Sequence, residues 1–192
     1  MANVDQIIEN ALAAWCMFRT LDQVKTDRVV RAVYLAAFDA RVRLAKMAWE
    51  ETGIGIWEHK VLKNVIGTQL VYEDIKDQKT VGVISENKLS GITEIAQSLG
   101  PILALIPVTN PVATTFFKIL ISLKTRNPLI ISPHSAARNS IAEAASLCYE
   151  AALAAGAPKY CMQWLEKPSP KVTSELMAHP RLALILATGT SS

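Results

Sequence analysis

Four short apolar runs alternate with three helical patterns between residues 101 and 187, and this alternation limits the possible folds more than any other feature of the sequence. The apolar runs cover residues 102–106, 129–131, 160–165 and 182–187. The helical patterns between them cover residues 111–123, 136–155 and 171–178. Compact apolar runs are typical of strands that are buried on both faces. The order therefore predicts an α/β fold with a doubly wound, parallel, right-handed sheet, whose ligands bind beyond the carboxyl ends of the strands.

A helical region precedes the predicted sheet, because apolar side chains recur there at steps of three and four. The helices are predicted at residues 5–18, 26–51 and 56–76. The second is predicted to be one continuous helix with a single apolar seam. The third is expected to bury a stripe of Trp57, Val61 and Val65.

A hairpin is predicted between the helices and the sheet. Residues 80–85 and 92–96 favour strands and flank a polar turn. We therefore divide the chain into a helical region (1–78), a hairpin arm (79–98) and a partial α/β domain (99–192).

The composition indicates a folded protein, since 51% of the residues are hydrophobic and 19% are charged. The three cysteines, Cys16, Cys148 and Cys161, have no short spacing, which argues against a disulfide framework and against a CxxC-type zinc site. The three histidines are scattered along the sequence, so no metal site is predicted. The free thiols favour the reducing cytoplasm.

The charge pattern argues against a membrane-spanning helix, a secretory signal and a nucleic-acid partner. The uncharged stretch between Glu94 and Lys118 contains three prolines, which would break a membrane-spanning helix. The first twenty residues carry Asp5 and Glu9 and lack the basic start of a secretory signal. Residues 111–192 hold 8 Lys/Arg against 4 Asp/Glu, a surplus too scattered for nucleic acid but suited to a phosphorylated small molecule.

The loops after the predicted strands are the candidate functional segments, at residues 107–111, 132–135 and 188–192. In the first loop Asn110 precedes Pro111 at the start of a helix. An ordinary helix cap explains this pair, since the Asn oxygen can accept a backbone N–H and proline fills a position that needs no donor.

Taken together, these loops resemble the CoA-acylating branch of the aldehyde dehydrogenase family, and most of all the N-terminal part of bifunctional acetaldehyde-CoA/alcohol dehydrogenases. The matching segments include IPVTNP at the first loop and the stretch from Lys60 to Asn64 in the helical region. The others lie at residues 39–41, 44–47, 119–127, 131–138, 154–158, 176–180 and 185–189.

The resemblance implies a chemistry and its cofactors. In this family a cysteine thiolate adds to an aldehyde, hydride passes to NAD, and coenzyme A, the co-substrate, cleaves the resulting thioester. The expected small-molecule partners are an aldehyde and CoA. The segment Ser132–His134 stands where hydrolytic relatives carry a Lys-Pro-Ser type motif, which favours the acylating branch over a hydrolytic NAD(P)-dependent enzyme.

The resemblance also implies the site residues. Asn110 is expected to donate a hydrogen bond to the oxyanion of the aldehyde adduct. The residues expected to bind the cofactor are Ile106, Pro107, Thr109, Ser132, Pro133, His134, Gly156, Pro158, Thr188 and Gly189. Thr190 departs from the family pattern, which has a glycine or serine after Thr-Gly.

The resemblance places the nucleophilic cysteine in a separate catalytic domain further along the family sequence, so we expect the chain to be truncated before that domain. No cysteine of this chain lies in a predicted loop after a strand, so we also expect the chain to be inactive alone. A non-catalytic nucleotide-binding or assembly module with the same fold is the alternative. A homo-oligomer is also expected, since the hairpin resembles the family's intersubunit arm and the last strand would leave apolar surface uncovered.

Overall fold

The computed structural model describes residues 3–189, in which helices come first, a hairpin follows, and a parallel sheet with its helices comes last. The first part contains α1 (Val4–Phe18), α2 (Gln23–Asp39), α3 (Arg41–Thr52), α4 (Trp57–Val65), a π-helical turn (Ile66–Leu70) and α5 (Val71–Ile75). The hairpin consists of β1 (Gly82–Asn87) and β2 (Ile92–Ala96). The last part contains β3 (Ile102–Ile106), α6 (Pro111–Lys124), β4 (Leu129–Pro133), a 3-10 turn (Ser135–Ala137), α7 (Arg138–Ala154), β5 (Met162–Trp164), α8 (Pro170–Met177) and β6 (Leu184–Ala187).

The larger sheet is parallel, with the strand order β5-β4-β3-β6. The chain moves outwards from β3 to β5 and then returns to the other side of β3. Leu103 and Ile130 pack with α1 and α8, whereas Ala104 and Ile131 pack with α2, α6 and α7. Helices on both faces confirm the predicted doubly wound α/β fold. The strand order reverses at β3, where sheets of this kind bind ligands.

The prediction of one helix over residues 26–51 is wrong, because the chain breaks at Ala40. This residue has φ −78° and ψ −1°, and α2 ends where α3 begins. Alanine favours helix more than any other residue, so no local signal marks the break. Helix α2 packs on α6 and α7, while α3 packs mainly on α4 and α7. The break at Ala40 therefore allows the apolar residues of α2 and α3 to pack against different neighbouring helices.

The buried face of α4 also differs from the prediction. Trp57, Val61 and Val65 are only half-buried, and Lys60 and Asn64 are buried instead. Both polar side chains donate hydrogen bonds to backbone carbonyl groups of neighbouring elements. Such partners make the burial of a polar face tolerable.

The hairpin has the predicted antiparallel pairing and is exposed along nearly its whole length. The last strand, β6, leaves apolar surface uncovered, as expected from the sequence, although its compact apolar run is also typical of a strand buried on both faces. Leu184 and Ile185 are 39% and 37% exposed, because β6 pairs only with β3 among the described strands and forms a sheet edge.

Within residues 3–189, no helix combines the length and the apolar character that a membrane crossing requires. The boundaries placed at residues 78 and 98 stay predictions, since helices on both sides of them share one core.

Candidate functional site

A cleft of about 620 Å³ lies at the carboxyl ends of β3, β4 and β6. Nine of the eleven residues assigned to a site from the sequence line it together. They are Ile106, Pro107, Thr109, Asn110, Ser132, Pro133, His134, Thr188 and Gly189. The cleft occupies the crevice at which the strand order reverses, so the fold brings the three predicted loops together there. Thr190 and the rest of the third loop lie outside the described residues.

Direct contacts fix the relative positions of two of these loops. Ile106 is opposite Pro133 in the parallel register, and the His134 N–H donates to the Ile106 carbonyl at 3.0 Å. Ser132 is buried, and its hydroxyl lies 2.8 Å from that of Thr173 on α8. The segment Ser132–His134, which lines the cleft, is therefore hydrogen-bonded both to β3 and to α8.

Gly156 and Pro158 do not line the cleft. They follow α7 and precede β5, which places them at the amino end of the parallel strands. Gly156 has φ +100° and its N–H donates to the carbonyl of Leu153, so it ends the helix. Because these residues lie at the opposite edge of the sheet, we leave both out of the proposed cofactor site.

Asn110 does not form the helix cap that the sequence suggests. Its backbone carbonyl accepts the N–H of Thr114 at 3.1 Å, but its side chain makes no capping hydrogen bond. Its Oδ1 atom is buried and has no hydrogen-bond partner among residues 3–189. The side chain is thus not needed to begin α6 and remains available to a ligand.

Lys60 supports the loop that carries Asn110. Its side chain is 6% exposed, and Nζ donates to the carbonyl of Thr109 at 3.0 Å. Desolvation by burial, and secondarily the charge of Lys63, lower the pKa of Lys60. The helical pattern gave no sign of this contact, because it assigned the buried face of α4 to three apolar residues.

A second buried lysine, Lys118 on α6, lies next to the cleft and was also missed. Its side chain is 2% exposed, and Nζ donates to the carbonyls of Leu105 at 2.8 Å and Leu186 at 2.6 Å. The ammonium therefore joins β3 to the edge strand β6. Desolvation by burial lowers the pKa of Lys118 to about 8.

We expect Lys118 to make the stability of the protein rise with pH between about 8 and 10.5. The folded chain loses the Lys118 proton near pH 8, whereas the unfolded chain keeps it up to the ordinary lysine pKa of 10.5. The unfolded state binds more protons in this window, so raising the pH favours folding. Urea unfolding of the wild type and of Lys118→Met across this range measures the effect.

The difference in unfolding free energy between the two proteins removes the titration of all other groups. As the pH rises, this difference should change in favour of the wild type, whose unfolding free energy increases relative to that of Lys118→Met. A parallel pH dependence of wild type and variant would contradict a lowered pKa at Lys118. Lys159→Met, which removes an exposed lysine, is the matched control and should leave the pH dependence of the unfolding free energy unchanged.

None of the three thiols lines the cleft. Cys148 and Cys161 are buried, and desolvation raises the pKa of both, that of Cys161 to about 12. Cys16 is exposed on α1. Within residues 3–189 no three metal-ligating side chains form a group that could hold an ion.

Comparisons with known proteins agree on one family. The sequence profile of the aldehyde dehydrogenase family matches residues 1–192. The bifunctional aldehyde-alcohol dehydrogenase AdhE of Escherichia coli K12 is 44% identical over 189 residues, which are 98% of this chain and 21% of that enzyme. The chain therefore spans about a fifth of the length of this relative.

Two solved structures show the same fold. An acetylating aldehyde dehydrogenase from Geobacillus thermoglucosidasius superposes with a TM-score of 0.94 at 42% identity, over 96% of this chain and 41% of that one. A propionaldehyde dehydrogenase from Rhodopseudomonas palustris, solved with bound CoA and an acylated cysteine, gives a TM-score of 0.84 at 29% identity, over 97% and 42%.

Proposed function

Because this chain belongs to the aldehyde dehydrogenase family, we propose that it is the N-terminal, cofactor-binding part of a CoA-acylating member. The reaction would convert an aldehyde, NAD and CoA into acyl-CoA and NADH. Acylating relatives support this branch over the hydrolytic one. The observation that carries the proposal is the cleft, which collects Asn110 and eight of the ten residues expected to bind the cofactor.

We propose that a dinucleotide binds in this cleft. A Cβ atom built on Gly189 meets no atom within 4 Å, so the backbone here leaves room for a close ligand. Ser132, Pro133 and His134 would hold the adenosine side, and the turn at Thr188 and Gly189 would contact the phosphates. When bound, NAD would supply the acceptor for the hydride.

Asn110 would contribute to the chemistry as a hydrogen-bond donor. Asn110 lines the cleft, and its side chain is not used as a helix cap. A preorganised amide aimed at a developing oxyanion accelerates acyl transfer, and removal of one such donor typically costs about 10²–10³ in rate. No thiol of the described residues lines the cleft, so we propose that the nucleophilic cysteine comes from outside them.

Because no thiol of the described residues lines the cleft, a second candidate function is a nucleotide-binding or assembly module without catalysis. For either function we propose a homo-oligomer in the cytoplasm. The exposed hairpin and the exposed edge strand β6 support association, because unpaired strand edges readily pair with another chain.

We expect the chain to bind NADH weakly, with saturable fluorescence at up to millimolar concentration and with AMP as a competitor. Gly189→Val should weaken this binding by about tenfold or more, because the new side chain fills space next to the ligand, while a Cβ atom at this position meets no protein atom within 4 Å. Added salt should weaken it further, since phosphate contacts at an open cleft are screened.

Ala154→Val serves as the control, because residue 154 is exposed at the opposite edge of the sheet. It should bind NADH like the wild type. If NADH gives no saturable signal, or if Gly189→Val leaves the affinity unchanged, the cofactor proposal is wrong. Circular dichroism of each variant verifies that the fold is retained.

A further inference from the structure

A small cavity lies beside the loop that carries Asn110. It has a volume of about 10 Å³ and is enclosed by α3, α4 and the start of α6. Its polar walls are Lys60, Lys63, Asn64 and Asn110, and its other walls are apolar. A cavity of roughly this size holds a single water if at least two polar groups face it.

One buried hydrogen-bond acceptor beside this cavity lacks a partner within the described part of the chain. Asn110 Oδ1 is buried and has no partner among the described residues. A buried acceptor left unpaired costs free energy, so such atoms are nearly always paired with protein or water. Lys60 Nζ has three N–H donors, and the one hydrogen bond found for it goes to Thr109. Lys60, which has donors to spare, and Asn110, which carries the orphaned acceptor, thus both line this cavity.

We propose that Lys60 is a positioning residue for Asn110, and that it acts through one water bound in this cavity. The water accepts a hydrogen bond from Lys60 Nζ and donates one to Asn110 Oδ1. This holds the amide with its oxygen inwards and its N–H groups towards the cleft. The inference rests on the proposed function, since only there is an amide donor at this position required.

The hydrogen bond from Lys60 to the Thr109 carbonyl supports the same role. Its bond to the Thr109 carbonyl fixes the backbone immediately before Asn110, so the ammonium restrains both the loop and the amide. A cation on the oxygen side of an amide also polarises its N–H groups. In a buried site this makes the amide a stronger donor to an anion. A side chain that restrains its loop in this way resembles the outer partners that orient the ligands of metal sites.

The test follows the mobility of the Asn110 side chain by NMR in the 192-residue chain. The side-chain amide signal is assigned by its loss in Asn110→Ala. We expect an order parameter of about 0.8 in the wild type and below about 0.6 in Lys60→Met, which removes every donor of the side chain. Lys60→Arg keeps the donors and the charge and should restore the rigid value.

Lys63→Met is the matched control. It removes an equal charge from the same helix, but Lys63 makes no hydrogen bond among the described residues. Its Asn110 amide should stay rigid. A crystal structure of the wild type should show an ordered water at hydrogen-bond distance from both Lys60 Nζ and Asn110 Oδ1.

A mobile Asn110 amide in the wild type, or no density in the cavity, would overturn the inference even if Lys60→Met failed to fold. An amide that stays rigid in folded Lys60→Met would do the same. Failure of the proposed function has a different signature, namely the absence of saturable NADH binding, and it leaves the Asn110 signal measurable.

Discussion

The 192-residue chain should form no NADH from acetaldehyde, NAD and CoA, because none of its cysteines can serve as the nucleophile at the cleft. The thiolate is the reactive form, and burial raises the pKa of Cys148 and Cys161 far above neutrality. Cys16 is exposed, but it lies on α1 and does not line the cleft. Absorbance at the NADH band during prolonged incubation measures the rate.

A variant with all three cysteines replaced by serine is the control for background turnover. Wild type and variant should give the same baseline. CoA-dependent turnover in both would contradict the thioester mechanism for this chain. Turnover lost only in Cys148→Ser or Cys161→Ser would show that a buried thiol becomes accessible, and our placement of the nucleophile would be wrong.

Replacement of Gly67 with alanine should destabilise the protein by roughly 3 kcal/mol, at the upper end of the range for overpacked sites. Gly67 lies in the π-helical turn, and a Cβ built on it would be 2.5 Å from the carbonyl oxygen of Ala113. The obstacle is the backbone of α6, which cannot rotate away like a side chain. Either α6 or the π-helical turn must shift.

Helix propensity alone predicts the opposite sign, since alanine is favoured over glycine by about 1 kcal/mol within a helix. Thermal unfolding separates the two expectations, because a loss of this size lowers the midpoint by roughly 6–12 °C in a chain of this length. Gly189→Ala is the matched control, since its Cβ meets nothing within 4 Å. Equal or higher stability of Gly67→Ala would show that the close packing is relieved at no cost.

Close packing at Gly67 also bears on the cleft. The turn lies against the beginning of α6, and this helix starts immediately after Asn110. A shift of α6 would therefore move the loop between β3 and α6. We expect Gly67→Ala to weaken NADH binding as well as stability, whereas Gly189→Ala should affect binding alone.

Nine of the eleven residues that we assigned to a site from the sequence line one cleft, because their position depends on order along the chain. Each lies in or beside a loop that follows a compact apolar run, and the carboxyl ends of parallel strands meet at one edge of the sheet. The same topology places Gly156 and Pro158 away from the cleft. They follow a helix instead of a strand, so the topology sends them to the other edge.

The sequence by itself determined the α/β class, the parallel order of strands and helices, the hairpin and the family. Periodic apolar residues and turn residues specify the helices, the strands and the hairpin locally, within a few residues of each other. The family followed from the resemblance of the segments at the loops, such as IPVTNP. Only the tertiary structure decided the break at Ala40, the buried positions of Lys60 and Lys118, the unused Asn110 oxygen and the tight contact of Gly67. The break at Ala40 lies between two helices that pack on different neighbours. Lys60, Lys118 and Gly67 each lie against a backbone group of another element, such as the Thr109 carbonyl for Lys60. A local pattern carries no information about such a partner, because packing between distant elements fixes where it lies.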